Sequence, residues 1–395
     1  MPEERSSKKR SSRSRAREGF NPLKIGDWLK RMPFYPFLIT GLVSVGSYLG
    51  CDPKEVEQNV EQAVDAAVVG QLPNNMSGML SGNPANAPGT TPGMPVSTTR
   101  PSSIPTTPTT AMPQRTATTL IIGSFNMQRL GPTKLKDQWV MEHYADIIRR
   151  FDVLALEEVT SSDQNTLPAL LQHVNANGAR YSYTLSPPVG RTPKYLEQYA
   201  FVFDTTRVSS RQEACFLMRD DEDLLHREPW VARFATVANI PNPFTFVLIN
   251  IHTDPNEVAS ELKTLAQVYT NVSNYFYHVG PGEYPEDDVM LLGDLNADPS
   301  KFQNNLSLLP NVIPTINGIP TNYCRTKTND NLLLNRATTG EFTGRSGALD
   351  LGYLYSISTD EAHKISDHQP IWAEFSIYET SGNQMATQQP QGYTR

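Results

Sequence analysis

The stretch that most constrains this chain is Val289 to Pro299, which reads VMLLGDLNADP. Its apolar run stops at Gly293, after which Asp294, Asn296 and Asp298 alternate with Leu295 and Ala297. A buried strand ending in a tight turn brings Asp294 and Asn296 out together at its C-terminal edge. One is a hard anionic oxygen ligand and the other an amide that both donates and accepts. That combination suits holding a divalent metal and a phosphate oxygen at once. A strand followed by an ordinary Asx turn has the same pattern, so the rest of the chain has to decide.

The 395 residues are enough for one large domain with appendages. Charge is unevenly spread: residues 1–31 hold ten Lys/Arg against four Asp/Glu, which leaves the remainder at a net −13. That acidity counts mildly against a nucleic-acid partner, although a divalent site needs carboxylates and screens them once a cation is bound. Pro33 to Gly50 carries no charge and has the length of a short membrane span or a long signal segment. Basic residues before it and acidic ones after it predict a cytoplasmic N-terminus and an exported bulk. Tyr48-Leu49-Gly50-Cys51 resembles a bacterial lipobox. A lipoprotein attached at Cys51 and an uncleaved signal anchor both fit, and each predicts membrane tethering at the cell envelope. Glu55 to Leu72 has helix-like apolar spacing, and Asn74 to Thr118 is a Pro/Thr-rich spacer that lacks the apolar surface to order itself. The expected organisation is a basic leader at 1–32, an anchor at 33–51, a stalk and linker at 52–118, a folded domain at 119–378 and a polar tail at 379–395.

Within the folded part short apolar runs recur at Leu120–Phe125, Val153–Val159, Tyr199–Phe203, Trp230–Val237, Phe246–Ile251, Val289–Leu292 and Ile371–Phe375. Helical spacing spans Lys134–Arg150 and Asn256–Tyr277. Many strands with few helices predict a layered α/β sandwich rather than a regular βαβ alternation. Six of the runs lie next to a polar residue of catalytic type: Asn126, Glu157-Glu158, Glu197, His252, Asp294 with Asn296, and Asp367-His368. Any one of them alone fits a cap or turn. Six at one edge would repel one another unless a cation or a shared function holds them there.

In order, GSFNMQRLG, LALEEV, NIHTDP, GDLNAD and SDHQP resemble the motifs of the endonuclease/exonuclease/phosphatase superfamily, with the nearest likeness to deoxyribonuclease I. The segments from Pro188 to Tyr199, Arg227 to Pro229, His252 to Tyr269 and Thr321 to Asp330 carry that narrower likeness. The resemblance implies an α+β fold, a four-layer α/β/β/α sandwich of two mainly antiparallel sheets. It implies Glu158 as principal metal ligand, with Asn126 beside it and Asp367 completing the metal face. Asp294 and Asn296 bind the scissile phosphate and orient the nucleophile. His252 and His368 flank the phosphorus, with Glu197 orienting the first, Asp330 the second, and Arg227 meeting a substrate phosphate. Tyr195 is left to stack on a sugar or base. Two imidazoles, each backed by a carboxylate, suit acid and base roles near neutral pH, in either assignment.

All-oxygen ligands imply Mg²⁺ or Mn²⁺. The acidic run Arg219–Asp223 reads either as a structural Ca²⁺ site or as a solvated loop. This chain departs from deoxyribonuclease I at Thr160, where that enzyme has a minor-groove Arg, and at Pro299, where it has a cysteine partner for the counterpart of Cys324. Cys215 and Cys324 are expected to be free. Asp350, in Gly347-Ala348-Leu349-Asp350, rivals Asp330 as the support of His368. The implied function is a monomeric, Mg²⁺-dependent endonuclease acting on DNA. The alternatives are a phosphatase or phosphodiesterase acting on lipid head groups or small phosphate esters, and an inactive surface binding module. The retained His252 and His368 argue against the last.

Overall fold

A computed structural model describes residues 112–380, apart from 161–163, 193–194, 279–284, 303–308 and 310. The expected leader, the anchor with Cys51, the stalk, most of the linker, and the tail beyond Thr380 lie outside the described residues. Among the described residues no helix is long and apolar enough to cross a membrane.

VMLLGD forms a strand that is buried along its whole length, and VLALEEV is nearly so; such unbroken apolar runs suit central strands covered on both faces. Around them the chain builds two six-stranded sheets. The first uses β1 (Thr119–Leu130), β2 (Val153–Val159), β3 (Tyr181–Leu185), β4 (Gln198–Asp204), β11 (Phe342–Ala348) and β12 (Ile371–Ser376), in the order β11-β12-β1-β2-β4-β3. The second uses β5 (Val208–Leu217), β6 (Trp230–Thr236), β7 (Thr245–His252), β8 (Val289–Asp294), β9 (Val312–Pro314) and β10 (Asp330–Asn335), in the order β5-β6-β7-β8-β10-β9. Each sheet has one parallel pair at its centre, β1 with β2 and β7 with β8, and is antiparallel elsewhere. The two parallel pairs are joined by crossovers containing α1 (Gln138–Ile148) and α3 (Val258–His278) respectively. The two halves therefore share one βαβ plan that no sequence repeat announces.

The faces between the sheets bury Leu120, Ile122, Phe201, Phe234, Phe246, Leu248, Met290 and Leu292 in one core. Behind the first sheet, Leu154, Leu156 and Trp372 pack against α1 and α2 (Thr166–Asn175) in a second. Behind the second sheet, Tyr269 of α3 donates its hydroxyl to the Val289 carbonyl at 2.6 Å, and Phe276 stacks on Phe216. The layers are the α/β/β/α sandwich that the resemblance implied. Two short helices, α4 (Leu351–Tyr355) and α5 (Thr359–Ile365), lead into the last strand.

Ordered contacts reach past the limits suggested by composition at both ends. Arg115 pairs with Asp152 at 2.6 Å and Asp204 at 2.5 Å, and Glu379 donates its backbone N–H to the Asn242 carbonyl at 2.9 Å.

Candidate active site

Sheet register alone gathers the polar strand ends. In the second sheet His252, Asp294 and Asp330 sit side by side, His252 opposite Asp294 across the parallel pair and Asp294 opposite Asp330 across the antiparallel one. In the first sheet Asn126 faces Glu157, with Glu158 next along. β4, β6 and β12 run antiparallel to these central strands, so the residues before them, Glu197, Arg227 and Asp367-His368, come to the same edge. Gly293 makes the sharp exit from β8 feasible: its φ is +139°, and a Cβ there would stand 1.9 Å from the Ile251 carbonyl oxygen.

Asp294 is the centre of the site. Its Oδ2 lies 3.5 Å from Nε2 of His252 and 3.5 Å from Nε2 of His368, and accepts from the Asn126 amide at 3.2 Å. Oδ1 accepts from the Asn296 backbone N–H at 3.0 Å, and Asn296 donates its side-chain amide to the Thr253 carbonyl at 2.9 Å. Each imidazole is held from behind, His252 Nδ1 by Glu197 Oε1 at 2.9 Å and His368 Nδ1 by Asp330 Oδ2 at 2.9 Å. Thr321 donates its hydroxyl to Asp330 at 2.6 Å, and Ser366 ties the His368 loop to the Asn126 carbonyl at 2.7 Å. Asp350 is elsewhere, capping α4 and pairing with Arg325 at 2.6 Å, so Asp330 is the partner of His368.

The electrostatics follow from this geometry. Burial works against charge on His252, but Glu197 and Asp294 outweigh it and raise its pKa to about 9. Burial likewise opposes charge on His368, yet Asp330 and Asp294 take it well above the ordinary imidazole range. Burial alone would raise Asp294, but the two rings hold it below the usual carboxylate value. The Asp294 carboxylate and the two rings therefore favour each other's charged forms. Both Nε2 atoms reach one oxygen, so a phosphate set between the rings can accept from each.

Beside this cluster, Asn126 donates to Glu158 Oε1 at 3.1 Å. Glu158 has φ +57° and Asn296 has φ +47°, left-handed conformations uncommon for residues with a side chain, here at both strand ends of the site. Among the described residues neither Glu158 nor Asp367 makes an ion pair, and both are near enough to Lys134 to favour its charge. Two unpaired carboxylates and an amide on one face fit a hard divalent cation.

The protein-family comparison decides what kind of site this is. A model described as the Endonuclease/Exonuclease/phosphatase family matches residues 123–351. The chain belongs to the endonuclease/exonuclease/phosphatase family. Deoxyribonuclease-1-like 1 of Sus scrofa is 31% identical over 271 residues, covering 65% of this chain and 80% of that protein. Deoxyribonuclease gamma of Rattus norvegicus is 30% identical over 283 residues, covering 66% and 85%. The crystal structure of truncated Caenorhabditis elegans TDP2 aligns at 15% identity with a TM-score of 0.44, covering 65% of this chain and 98% of that one. Within the family the likeness is to deoxyribonuclease I, and the chain is a phosphoester hydrolase of the divalent-metal-dependent kind.

Other residues expected from family resemblance fall as follows. Arg227 sets Nε 2.9 Å from Glu197 Oε1 and donates Nη1 to the His252 carbonyl at 3.2 Å, which makes it a brace for Glu197. Tyr195 is 56% exposed, in the loop closed by the Val189–Glu197 bridge. The Arg219–Asp223 loop spends its carboxylates locally: Asp220 accepts from the Leu225 N–H at 2.6 Å, Asp221 pairs with Arg219 at 3.0 Å, and Asp223 pairs with Arg191 at 2.9 Å. Among the described residues no group of three ligand atoms forms there. Among the described residues neither Cys215 nor Cys324 forms a disulfide.

Sequence reasoning missed Lys134, placing it only as the start of a helix. Its ammonium donates to the Met127 carbonyl at 2.8 Å, the Tyr144 hydroxyl at 2.9 Å and the Ile365 carbonyl at 2.7 Å, fastening the Asp367 loop to β1. Burial lowers its pKa to about 8, against the pull of Asp367 and Glu158. The role of Glu157 was also unseen. It is fully buried, accepts the Ser124 hydroxyl at 2.8 Å, and burial pushes its carboxyl well above the usual range. Its alternation with Glu158 was the available signal, since neighbours on a strand face opposite sides.

Proposed function

We propose that this domain is an endonuclease that hydrolyses DNA phosphodiesters with Mg²⁺. The observation that carries the proposal is Asp294 set between two imidazoles, each with its own carboxylate behind it. In the reacting form one ring is neutral and accepts a proton from the attacking water, the other is protonated and donates to the leaving oxygen, and Asp294 with Asn296 positions the water and the phosphate. Glu158, Asp367 and Asn126 would hold the Mg²⁺, which when bound neutralises phosphate charge and polarises its oxygens. DNA is favoured by the relatives named deoxyribonucleases and by an open cleft of about 410 Å³ beside Asn296. That cleft is lined by Lys301 and Lys327 with Thr326 and Thr328, a lining suited to a phosphate backbone running on from the scissile bond.

A second reading within the family is hydrolysis of lipid head groups or small phosphate esters, favoured by Thr160 where deoxyribonuclease I has a minor-groove Arg. Incubating the protein with plasmid DNA, phospholipid vesicles and a phosphomonoester, each with Mg²⁺ and with chelator, separates the two. Chelator-sensitive strand breaks with the other substrates intact support the DNA reading, and the reverse pattern overturns it.

Tethering to the cell envelope, by a lipid on Cys51 or by an uncleaved anchor, belongs to the same proposal and rests on the N-terminal sequence. It predicts that the protein sediments with membranes and that deletion of Pro33–Gly50 releases it, while lipid labelling lost in Cys51→Ala marks Cys51 as the attachment point. Retention in the membrane fraction after deletion of Pro33–Gly50 counts against it. A monomeric state is expected, and light scattering tests it.

A further inference from the structure

At the end of β8 opposite the active site lies a second group of carboxylates that phosphodiester hydrolysis does not use. Asp288 immediately precedes β8, Glu341 immediately precedes β11 of the other sheet, and Glu379 follows β12. One oxygen from each lies within 4.8 Å of the others. Asp288 and Asp294 are six positions apart along the strand, about 20 Å of extended chain. Asp288 is 1% exposed and neither of its carboxylate oxygens has a hydrogen-bond partner; Glu341 is also 1% exposed, and its Oε2 has none. Buried carboxylates are ordinarily saturated with donors or paired with a cation. Among the described residues no Lys, Arg or His pairs with these three. The neighbouring Arg233 is 3.2 Å from Glu286 instead.

The other oxygens of the group are held. Glu341 Oε1 accepts from the backbone and hydroxyl of Thr380, the latter at 2.7 Å, and Glu379 Oε2 accepts from the Thr245 N–H at 3.1 Å. Glu286 Oε1 accepts from the Asp288 N–H at 3.0 Å, fixing the turn that presents Asp288. Hydrogen bonds thus hold one oxygen each of Glu341 and Glu379 and leave Glu341 Oε2 and both Asp288 oxygens without donors, as the outer hydrogen bonds around a metal's ligands do. Calcium–oxygen distances of about 2.3–2.6 Å let ligand oxygens sit up to about 5 Å apart across the ion, which the group satisfies.

We propose that Asp288, Glu341 and Glu379 form a structural Ca²⁺ site that clamps both sheets and the C-terminal segment together at the edge remote from catalysis. Irregular, strand-end carboxylates suit Ca²⁺ better than Mg²⁺, which demands a near-octahedral shell. Without a cation, burial and the repulsion of Glu341, Glu379, Glu286 and Asp287 push Asp288 to about 11, so the group must take up protons to fold. Asp288 and Glu379 are close enough to share one, and that is the rival arrangement.

The test uses the full chain, stripped with chelator and dialysed against radioactive Ca²⁺ in the presence of Mg²⁺, alongside Glu158→Gln, Asp288→Asn and Glu341→Gln. The proposal predicts that Ca²⁺ binds and raises Tm in the wild type and in Glu158→Gln. It predicts that one bound ion per chain and the Tm rise are both lost in Asp288→Asn and Glu341→Gln, whose phosphoester hydrolysis in Mg²⁺ is unchanged. Should Asp288→Asn fail to fold, Glu379→Gln, at a half-buried position, gives the same comparison. Equal Ca²⁺ binding and equal Tm rise in the cluster variants overturn the proposal. So does a wild-type Tm that does not respond to Ca²⁺.

Discussion

Glu197 and Asp330 each grip one Nδ1 and leave Nε2 facing Asp294, so single carboxylates set both the aim and the charge of the two rings. The sign of the consequence follows from linkage. A ring whose pKa rises from about 6.5 unfolded to about 9 folded stabilises the protein fully below pH 6.5 and loses that contribution as pH climbs through 9. Metal-free protein is therefore expected to lose stability, on the order of 3 kcal/mol, between those limits. Glu197→Gln should flatten that part of a Tm-against-pH curve measured in chelator, and an unaltered slope would count against the assignment. Glu158 gives a second prediction, because its φ of +57° costs any residue with a Cβ. Glu158→Gly is expected to be more stable than Glu158→Ala by about 1 kcal/mol, both lacking activity. Urea titration of the pair measures the difference, and equal midpoints would contradict it.

The elements that carry the site were readable where burial on both faces leaves an unbroken apolar run, as in VLALEEV and VMLLGD. β5, β11 and β10 were not, for a physical reason. VSSRQEACFL and FTGRSGA lie at sheet edges, where polar residues are tolerated, and the three leucines of DNLLLN make too short a run to stand out. The catalytic types were legible at strand ends, and family resemblance supplied their partners. Lys134 was not legible, since the oxygens it joins come from β1, α1 and the end of α5, the last 231 residues away. Two predictions belong here. Gly293→Ala should destabilise by about 2 kcal/mol or more, because the new Cβ meets the Ile251 carbonyl at 1.9 Å in a conformation only glycine accepts. Lys134→Met should loosen the Asp367 loop, weakening the activating metal's apparent affinity more than it lowers Tm. A melting curve and a Mg²⁺ titration of activity check them, and wild-type behaviour in either would refute that prediction.

For the molecule as a whole, two βαβ halves face each other across an aromatic core, and their strand ends meet in one active edge. The opposite edge is fastened by a buried charge cluster. Asp152, fully buried, takes Arg115 at 2.6 Å, Arg207 at 2.5 Å and the Ile121 N–H at 2.7 Å, joining the start of the domain to both sheets. Asp152→Ala takes the carboxylate from Arg207 and leaves Arg115 with Asp204 alone, and should cost about 3 kcal/mol in chemical denaturation; a loss below about 1 kcal/mol would mean the cluster is peripheral. The central claim, that the carboxylate between two braced imidazoles cuts phosphodiesters with a metal held beside it, is tested most directly on supercoiled plasmid. Wild type, His252→Ala and Glu158→Gln are compared in Mg²⁺ and in EDTA. The account predicts nicking by wild type in Mg²⁺ alone, abolished by EDTA and by either substitution. Nicking that survives His252→Ala, or plasmid left intact by wild type under every divalent metal, would contradict it.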